Sequence, residues 1–368
     1  MPASHGSIGP VGVEFHYPVY RTAHRGDNWC QTWAGDGHIY TSLDDGTGWA
    51  PLPNGQEFNT RVFRIKGGPE PIEGELLDNF PVHMMRGGWY GYGILGVNGT
   101  LYHFITCASK DRFAFPFQGA KLIYSSDYGS SWFRHDGADA RVDPLSTDPA
   151  HMFYWHETDD YAFANLEFLQ AGRDYRDARD GYAYLYAPGG RHEPWKLNMA
   201  RVPVDRILNR ASYEFFARLD DAGRPVWTAD VARRGVVRAF PARNAAGEEF
   251  GWYSYLPSVV YNKALGLYVM ATGATGGEEQ RKYMHTPPGS LMLLWAHQPW
   301  GPWHEFYYTE NWTAGEDTCR LYQPKLSPRF ISADGKEMVL VFSDAQAHEG
   351  RTHNKHYRWN QQKITLRF

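Results

Sequence analysis

The stretch GWYGYGILGVNGTLYHFITCAS, residues 88–109, decides the fold. Two runs rich in Tyr, Leu and Ile flank the turn VNG, and apolar runs around an Asn-Gly turn are typical of a β-hairpin. The same pattern, with the turns GDG, RDG, NKALG and ADG, recurs in four segments: 27–46 (DNWCQTWAGDGHIYTSLDDG), 165–190, 255–273 (YLPSVVYNKALGLYVMATG) and 322–344 (YQPKLSPRFISADGKEMVLVFSD). The chain therefore contains five similar hairpins.

Five hairpins in 368 residues leave roughly 70 residues for each copy, which is enough for a four-stranded blade with one long loop. A seven-bladed ring would require two further copies that the sequence does not contain. The prediction is an all-β, five-bladed β-propeller that forms a single domain over residues 24–368, after an N-terminal segment of residues 1–23. An apolar stripe in VDRILNRASYEFFARL predicts one short inserted helix near 204–219.

Composition excludes several classes of partner. With 37 Lys and Arg against 41 Asp and Glu, the chain lacks the basic surface that nucleic acid requires. It also lacks an apolar stretch of about 20 residues that would span a membrane. Three cysteines, Cys30, Cys107 and Cys319, allow at most one disulfide. The first residues have no signal-peptide pattern, so the protein is cytoplasmic unless a signal peptide was removed and it is secreted. We expect a monomer.

The segment SSDYGSSW, residues 125–132, has the pattern of an Asp-box turn. Here the carboxylate of Asp127 can accept hydrogen bonds from the turn, Gly129 can adopt a left-handed conformation, and Trp132 can pack between sheets. A carboxylate used as a turn cap faces the blade edge, so we predict a structural role.

Carboxylates on the innermost strands of a propeller converge on its central channel. Asp27, which opens the first inner strand, and Glu167, on the third inner strand, meet this criterion. Asp45 follows the second strand, and the hairpin can bring it to the same rim as Asp27. Two facing carboxyl groups permit general acid and base catalysis on a glycosidic bond. Asp36, Asp44 and Asp45 all lie in DG or DDG contexts, where an aspartate is usually a turn former, so a structural role is the alternative for Asp45 too.

No nucleotide-binding, serine-hydrolase or zinc-protease motif occurs, so we expect no cofactor. The segment HMFYWHETDD brings together His151, His156 and Glu157, but two histidines five positions apart on a strand point to opposite faces. We therefore expect no metal. An aromatic channel with acids suits sugars, because C–H faces stack on aromatic rings while hydroxyl groups bind polar side chains. The aromatic candidates are Trp29, Trp33, Trp89, Tyr255 and Tyr322, and core packing is the alternative for each.

Several segments together resemble one family. DNWCQTWAGDGHIYTSLDDG, SSDYGSSW, FLQAGRDYRDARDGYAYLY, PWGPW and SADGKEMVLVFS are similar to segments of the five-bladed propellers of domain of unknown function 4185, which include the endo-D-arabinanases of glycoside hydrolase family 183. The resemblance implies that Asp27 and Asp45 are catalytic, with Asp44 competing for the second role. It also implies that Gln170, Arg173 and Asp174 serve the site or its scaffold.

Three functions remain open at this point. The first is a glycoside hydrolase acting through Asp27 and Asp45 on a polysaccharide or oligosaccharide, with furanoside-containing glycans as one candidate. The second is a polysaccharide lyase using His156, Tyr255 and Arg173, and the third is a non-catalytic carbohydrate-binding propeller. For the hydrolase, we expect the carboxyl groups to be separated by the roughly 6.5 to 9.5 Å of inverting enzymes rather than the about 5 Å of retaining ones.

Overall fold

The computed structural model describes residues 9–52, 58–81, 83–84, 88–108, 117–190, 193, 195–247, 250–251, 253–273, 275–276, 289–315, 321–344 and 356–368. Five antiparallel sheets account for most of them, which confirms the five-bladed β-propeller predicted from the repeats. Blade one contains β3 (Arg25–Trp33), β4 (Ile39–Gly48), β5 (Phe58–Gly67), β6 (Ile72–Leu76) and β7 (His83–Met84). Blade two contains β8 (Trp89–Val97), β9 (Thr100–Ala108), β10 (Phe117–Ser125), β11 (Phe133–Arg134) and β12 (Tyr154–Trp155).

The remaining blades follow the same order. Blade three contains β13 (Glu167–Phe168), β14 (Tyr182–Pro188), β15 (Lys196–Pro203), β16 (Glu214–Leu219), β17 (Pro225–Thr228) and β18 (Arg238–Ala239). Blade four contains β20 (Ser258–Asn262), β21 (Leu267–Thr272), β23 (Leu291–Ala296) and β24 (His304–Thr309). A separate pair joins β19 (Phe250–Gly251) to β22 (Thr275–Gly276).

The fifth blade joins the two ends of the chain. Its inner strands are β25 (Leu321–Ile331), β26 (Glu337–Asp344) and β27 (Asn360–Arg367), and its outermost strand is β1 (Gly12–Phe15), which pairs with β27. The short strand β2 (Tyr20–Arg21) also pairs with β27. Both N-terminal strands fall within the segment 1–23 that the sequence analysis set apart, and in the structure they belong to the propeller.

The innermost strands β3, β8, β13, β20 and β25 contact one another in cyclic order around the axis. Hydrophobic clusters fill the spaces between neighbouring blades. One of them joins Trp29 of blade one to Trp359 of blade five at a ring separation of 5.1 Å, with Trp49 packed against both. The axis is thus surrounded by five inner strands whose relative positions are set by aromatic packing between blades.

The predicted helix at 204–219 is wrong. Asn209 caps a single 3-10 turn at Arg210–Ser212, and the chain then continues as β16, in which Phe215 pairs with Ala200 of β15. The free edge of β15 supplies backbone hydrogen bonds, and this tertiary pairing overrides a loose helical pattern.

Helical structure is scarce in the described part of the chain. The one α-helix there is α1, His156–Asp159, and short 3-10 turns occur at Pro149–His151, Arg173–Tyr175, Arg210–Ser212 and Val231–Arg233. Within the described ranges, no helix is long and apolar enough to span a membrane. Cys30 and Cys107 are buried free thiols, and Cys319 lies outside the described residues.

Candidate active site

A β-bulge turns Asp27 away from the regular alternation of β3. Asp27 pairs with Asp44 and Cys30 pairs with Ser42, so Asn28 and Trp29 together oppose the single residue Leu43. Both bulged residues have left-handed backbone conformations, with φ of 62° for Asn28 and 32° for Trp29. Bulges of this kind re-aim side chains and are common beside active sites. Asp27 is 3% exposed.

Asp44 and Asp45 lie opposite Asp27, near the end of β4. Both oxygens of Asp44 are hydrogen-bonded: Thr60 Oγ1 donates to Oδ1 at 2.7 Å, and Asn28 Nδ2 donates to Oδ2 at 3.0 Å. Asp44 therefore ties the bulge of β3 to β5, which supports the turn-and-scaffold interpretation of this residue. Asp45 is half-buried, and its Oδ1 is enclosed without a hydrogen-bond partner among the described residues.

Two glycines allow the ends of β3 and β4 to approach closely. A Cβ atom on Gly46 would lie 2.2 Å from the carbonyl oxygen of Arg25 and 2.4 Å from the Cα atom of Gly26. Gly26 itself has φ of 145°, a conformation that side chains rarely permit. The neighbours of these glycines, Asp27 and Asp45, are consequently held at the same end of the hairpin.

Tyr357, near the opposite end of the chain, contacts the carboxyl group of Asp27. Its hydroxyl group donates to Asp27 Oδ2 at 2.8 Å, and it lies 3.3 Å from the main-chain oxygen of Asp45. Tyr357 lies three residues before β27 of the fifth blade and is 1% exposed. Trp359, two residues further on, is part of the core between blades one and five. Asp27 and Asp45 thus share one hydroxyl contact.

Burial raises the pKa values of all three aspartates, and neighbouring negative charges add to the shift for Asp27 and Asp44. Burial raises the pKa of Asp45 to about 7. Burial, followed by the negative charges of Asp45 and Asp44, raises the pKa of Asp27, while the hydrogen bond from Tyr357 opposes this shift. Burial and the charge of Asp45 likewise raise the pKa of Asp44, although its hydrogen bonds act in the opposite direction. Around neutral pH, the Asp27–Asp45 pair therefore retains a proton.

Glu167 occupies a different place on the axis. Its Oε2 lies 3.9 Å from Lys325 Nζ, and both side chains are almost fully buried. Burial raises the pKa of Glu167, and Lys325 and the Cys30 thiol lower it. Because Cys30 is three residues beyond Asp27 on β3, Glu167 lies within about 10 Å of Asp27 along the strand direction. Lys325 also donates to the main-chain oxygen of Leu256 at 2.6 Å, so this pair connects β25 and β13 to the segment that precedes β20.

Two of the five predicted aromatic residues approach the aspartates. Burial and the charges of Asp27 and Asp44 contribute to raised pKa values for Tyr255 and Tyr322. The Tyr255 hydroxyl group is 2.7 Å from that of Tyr92, whose side chain also reaches Asp44. Tyr92, Tyr255, Tyr322 and Tyr357 together form a wall of phenol rings around the carboxyl groups.

The three predicted tryptophans do not join this wall. Trp29 is fully buried between blades one and five, because the bulge directs it away from the axis. Trp89 is buried in the core with the Lys121 ammonium 4.3 Å from its ring centre. Trp33 is half-buried at the turn end of the hairpin, where its Nε1 donates to the main-chain oxygen of Gly37. Trp29 and Trp89 therefore pack in the core, which was the alternative to a place in the channel.

The described contacts of His156, Gln170 and Arg173 are with residues other than the three aspartates. The His156 ring stacks on Tyr161 at 5.2 Å in α1. Gln170 donates to the main-chain oxygen of Ile94 at 2.9 Å and so joins two inner strands. Arg173 donates to the main-chain oxygen of Gly35 in the β3–β4 turn, eight positions from Asp27 and thus roughly 25 Å away along an extended strand. Asp174 similarly accepts from the Gly99 N–H in the next turn, at 2.9 Å. The segment around Arg173 is therefore scaffold at the far end of the blades.

The Asp-box of blade two has the expected structural geometry. Asp127 Oδ1 accepts from the Ser131 N–H and from Ser125 Oγ, both at 2.8 Å, and Trp132 is buried. Gly129 has φ of 94°. The motif closes the β10–β11 turn and contributes no side chain to the axis.

Sequence reasoning missed Tyr357, Tyr92, Thr60 and Asn28. Tyr357 lies in a polar segment, NKHYRW, that carries no motif, and its contact with Asp27 spans 330 positions. Asn28 was detectable in principle, since a polar residue between Asp27 and Trp29 interrupts an apolar strand. Within the ranges that the structure describes, no group of three or more His, Cys, Asp or Glu side chains could hold a metal ion.

Several solved structures of very different sequence are similar to this chain. A provisionally assigned hydrolase from Bacteroides ovatus ATCC 8483 superposes with a TM-score of 0.51 at 12% identity, over 92% of this chain and 85% of that chain. The catalytic domain of the Coprinopsis cinerea GH62 α-L-arabinofuranosidase gives 0.48 at 10% identity, over 97% of each chain. The Xanthomonas citri GH43_1 enzyme complexed with xylose gives 0.47 at 13%, over 95% of this chain and 89% of that chain.

At such low identity, the likeness to the Bacteroides ovatus protein shows a common five-bladed propeller fold and no more. No protein-family model matches the sequence, and no curated protein matches it significantly. The protein is therefore a five-bladed β-propeller with a cluster of three carboxyl groups at one end of the β3–β4 hairpin of blade one.

Proposed function

We propose that this protein is a glycoside hydrolase with Asp27 and Asp45 as its catalytic carboxyl pair. The proposal depends on the environment of these two carboxyl groups. Each residue has a buried Oδ1 without a hydrogen-bond partner in the described part of the chain, and the pair retains a proton near neutral pH. Unsatisfied buried carboxyl oxygens are costly, and their persistence at a cluster of raised pKa values is characteristic of functional sites.

The two environments support different roles. Asp27 is the more buried and faces two other carboxyl groups, so it holds the proton and acts as general acid on the glycosidic oxygen. Asp45 is better solvated, ionises first and acts as general base. The bond between the anomeric carbon and the glycosidic oxygen breaks as Asp27 gives its proton to that oxygen, while the water oxygen bonds to the anomeric carbon and Asp45 accepts a proton from the water. Exchange with solvent then restores both groups.

The substrate class follows from the resemblance stated above. The four phenol rings beside the aspartates are only 1–6% exposed, so they support the carboxyl groups and do not themselves define the sugar. The resemblance to the endo-D-arabinanases supports a furanoside-containing polysaccharide or oligosaccharide. Membership of domain of unknown function 4185 is part of this proposal.

The test is an assay of reducing ends released from a panel of polysaccharides that includes D-arabinan and uronate-containing glycans. Asp27→Asn should reduce the rate on any substrate by roughly 100- to 10,000-fold, because the proton donor is lost. The matched control is Asp36→Asn. Asp36 lies on the same hairpin, but at the turn end, where it accepts from the His38 N–H and the Tyr40 hydroxyl. This variant should retain wild-type activity.

Other results would exclude the proposal in favour of its alternatives. A product that absorbs in the near ultraviolet, as unsaturated uronates do, would identify a lyase. Saturable binding of a glycan without any product would identify a carbohydrate-binding propeller. Retention of more than a few per cent of activity by Asp27→Asn would remove that residue from the mechanism.

A further inference from the structure

Tyr357 stands out among the buried groups that the proposed mechanism does not use. Its hydroxyl group is bound to one oxygen of Asp27, Oδ2, at 2.8 Å. The other oxygen, Oδ1, is buried and has no hydrogen-bond partner in the described ranges. The two oxygens of this carboxyl group are therefore in different environments.

The contacts of the Tyr357 hydroxyl group favour one position for the proton of the acid. If that proton were on Oδ2, it would donate to the phenol oxygen, and the phenol proton would be left with the main-chain oxygen of Asp45, a longer contact of 3.3 Å. With the proton on Oδ1, Oδ2 is free to accept from Tyr357. We propose that Tyr357 is a positioning residue, whose hydroxyl group occupies Oδ2 of Asp27 and so keeps the transferable proton on Oδ1. This inference rests on the proposed function of Asp27 as general acid.

The backbone around Tyr357 is held on both sides. Asn360 Nδ2 donates to the main-chain oxygen of His356 at 2.9 Å and to that of Phe342 at 3.1 Å. Trp359 N–H donates to the His24 carbonyl at 2.9 Å, and Thr22 N–H donates to the Trp359 carbonyl at 3.1 Å. These bonds connect the segment to the chain just before β3. The hydroxyl position is thus determined by main-chain contacts and does not depend on Asp27 alone.

Several charged and titratable groups face Asp27. They are Asp44 and Asp45 of β4, Lys325 and Tyr322 of β25, Tyr255 and Tyr357; the Arg25 guanidinium lies 5.7 Å from the centre of the Tyr357 ring. Lys325 and Tyr357 favour the ionised form of Asp27, and the two aspartates disfavour it. Removal of the Tyr357 hydroxyl group therefore raises the pKa of Asp27, since a hydrogen bond to the ionised form is lost.

The test compares Tyr357→Phe with Tyr40→Phe. Tyr40 donates to Asp36 Oδ2 at 2.7 Å, so its replacement removes a bond of the same type at the turn end of the same hairpin. For Tyr357→Phe we expect a fall in kcat of about tenfold with little change in KM, the effect of one lost hydrogen bond to a carboxyl group. The alkaline limb of the pH–rate profile should move to higher pH. Tyr40→Phe should change neither property.

A second measurement does not require turnover. In protein labelled with ¹³C at aspartate carboxyl groups, the resonance absent from Asp27→Asn identifies Asp27, and its titration midpoint should be higher in Tyr357→Phe. Incorporation of 3-fluorotyrosine at position 357 keeps the hydroxyl group and makes it a stronger donor, so the midpoint should move the other way. This variant decides the question if the phenylalanine variant does not fold.

The outcomes separate this inference from the proposed function. Wild-type kcat, pH profile and carboxyl titration in Tyr357→Phe, with Asp27→Asn inactive, would overturn the positioning role and leave the hydrolase proposal intact. If no panel substrate is hydrolysed, the proposed function fails, and an unchanged titration midpoint would then overturn the Tyr357–Asp27 coupling as well.

Discussion

At the scale of single residues, three aspartates of similar sequence context differ in what surrounds them. Asp44 has both oxygens bound by Thr60 and Asn28, whereas Asp27 has one bound oxygen and Asp45 has a buried oxygen without a partner in the described residues. Asp44 is accordingly the structural member of the DDG sequence. Asp27 and Asp45 carry a desolvation penalty, which the proposed catalytic role would explain.

This penalty predicts how stability depends on pH. Burial raises the pKa of Asp45 to about 7 in the folded protein, above the ordinary aspartate value near 4. Between these two pH values the folded state binds more protons than the unfolded state, so stability decreases as pH rises. Asp45→Asn cannot ionise and should be more stable than the wild type at pH 8. Urea unfolding from pH 4 to pH 8 should show this difference growing as pH increases.

Asp136→Asn serves as a control of opposite sign. The hydrogen bond from Arg134 lowers the pKa of Asp136 to about 2, so this carboxylate stabilises the fold above its unfolded pKa. Its replacement should cost stability at pH 8, with the difference shrinking as pH falls below about 4. Equal stability of Asp45→Asn and the wild type throughout the range would show that Asp45 is not desolvated.

At the scale of secondary structure, the β3–β4 hairpin makes the site through a bulge and two glycines. The bulge at Asn28 and Trp29 directs Asp27 and Trp29 to different surroundings, and Gly26 and Gly46 let the strand ends touch. A period-two reading of DNWCQTW predicts Trp29 near the channel, and the left-handed residues of the bulge are the reason that it is not.

Gly46→Ala tests this close approach. The added methyl group would meet main-chain atoms of Arg25 and Gly26, which cannot move aside as a flexible side chain can. We expect a loss of roughly 1–3 kcal/mol in the free energy of unfolding, together with most of the activity, since Asp27 and Asp45 move apart.

The matched variant is Gly181→Ala, in the exposed turn before β14, where an added Cβ atom would have no neighbour within 4 Å. It should leave both stability and activity close to those of the wild type. Circular-dichroism melts and a reducing-end assay of both variants are sufficient. Full activity in Gly46→Ala would mean that the strand separation is unimportant to the site.

At the scale of the whole molecule, the ring of five blades brings together residues from the two ends of the chain. Strand β1 completes the fifth blade beside β27, and Tyr357 enters the site just before β27 begins. Lys325 and Glu167 join blades five and three across the axis. Any substrate cleft at this end is therefore shared between the first and fifth blades.

The stereochemistry of the proposed reaction depends on the channel width that this ring sets. We predict inversion, with a water molecule between Asp27 and Asp45, as in enzymes whose carboxyl groups are roughly 6.5 to 9.5 Å apart. Proton NMR of the anomer released in the first minutes of hydrolysis checks this directly. Release of the retained anomer would instead make one carboxylate a nucleophile, and Glu167 would be the next residue to replace.

Much of the architecture is predictable from the sequence alone. Five hairpins with Gly-containing turns determine an all-β ring, because strand periodicity and turn chemistry are local properties. The Asp-box geometry is likewise local, since Asp127 binds only Ser125 and its own turn. The placement of Asp27 and Asp45 at one end of the first hairpin also follows from their spacing, given the family resemblance that selected them.

The sequence by itself thus determined the propeller and its repeat number, because these depend on residues close together in the chain; the choice of Asp27 and Asp45 as the catalytic pair stays a prediction. Only the tertiary structure decided which aromatic rings surround them. Trp29 belongs to the inter-blade core and Tyr357 to the site, and β16 forms where a helix was expected. The physical reason is that these outcomes depend on contacts across blade interfaces and free strand edges, where packing and backbone hydrogen bonds between distant segments outweigh local pattern.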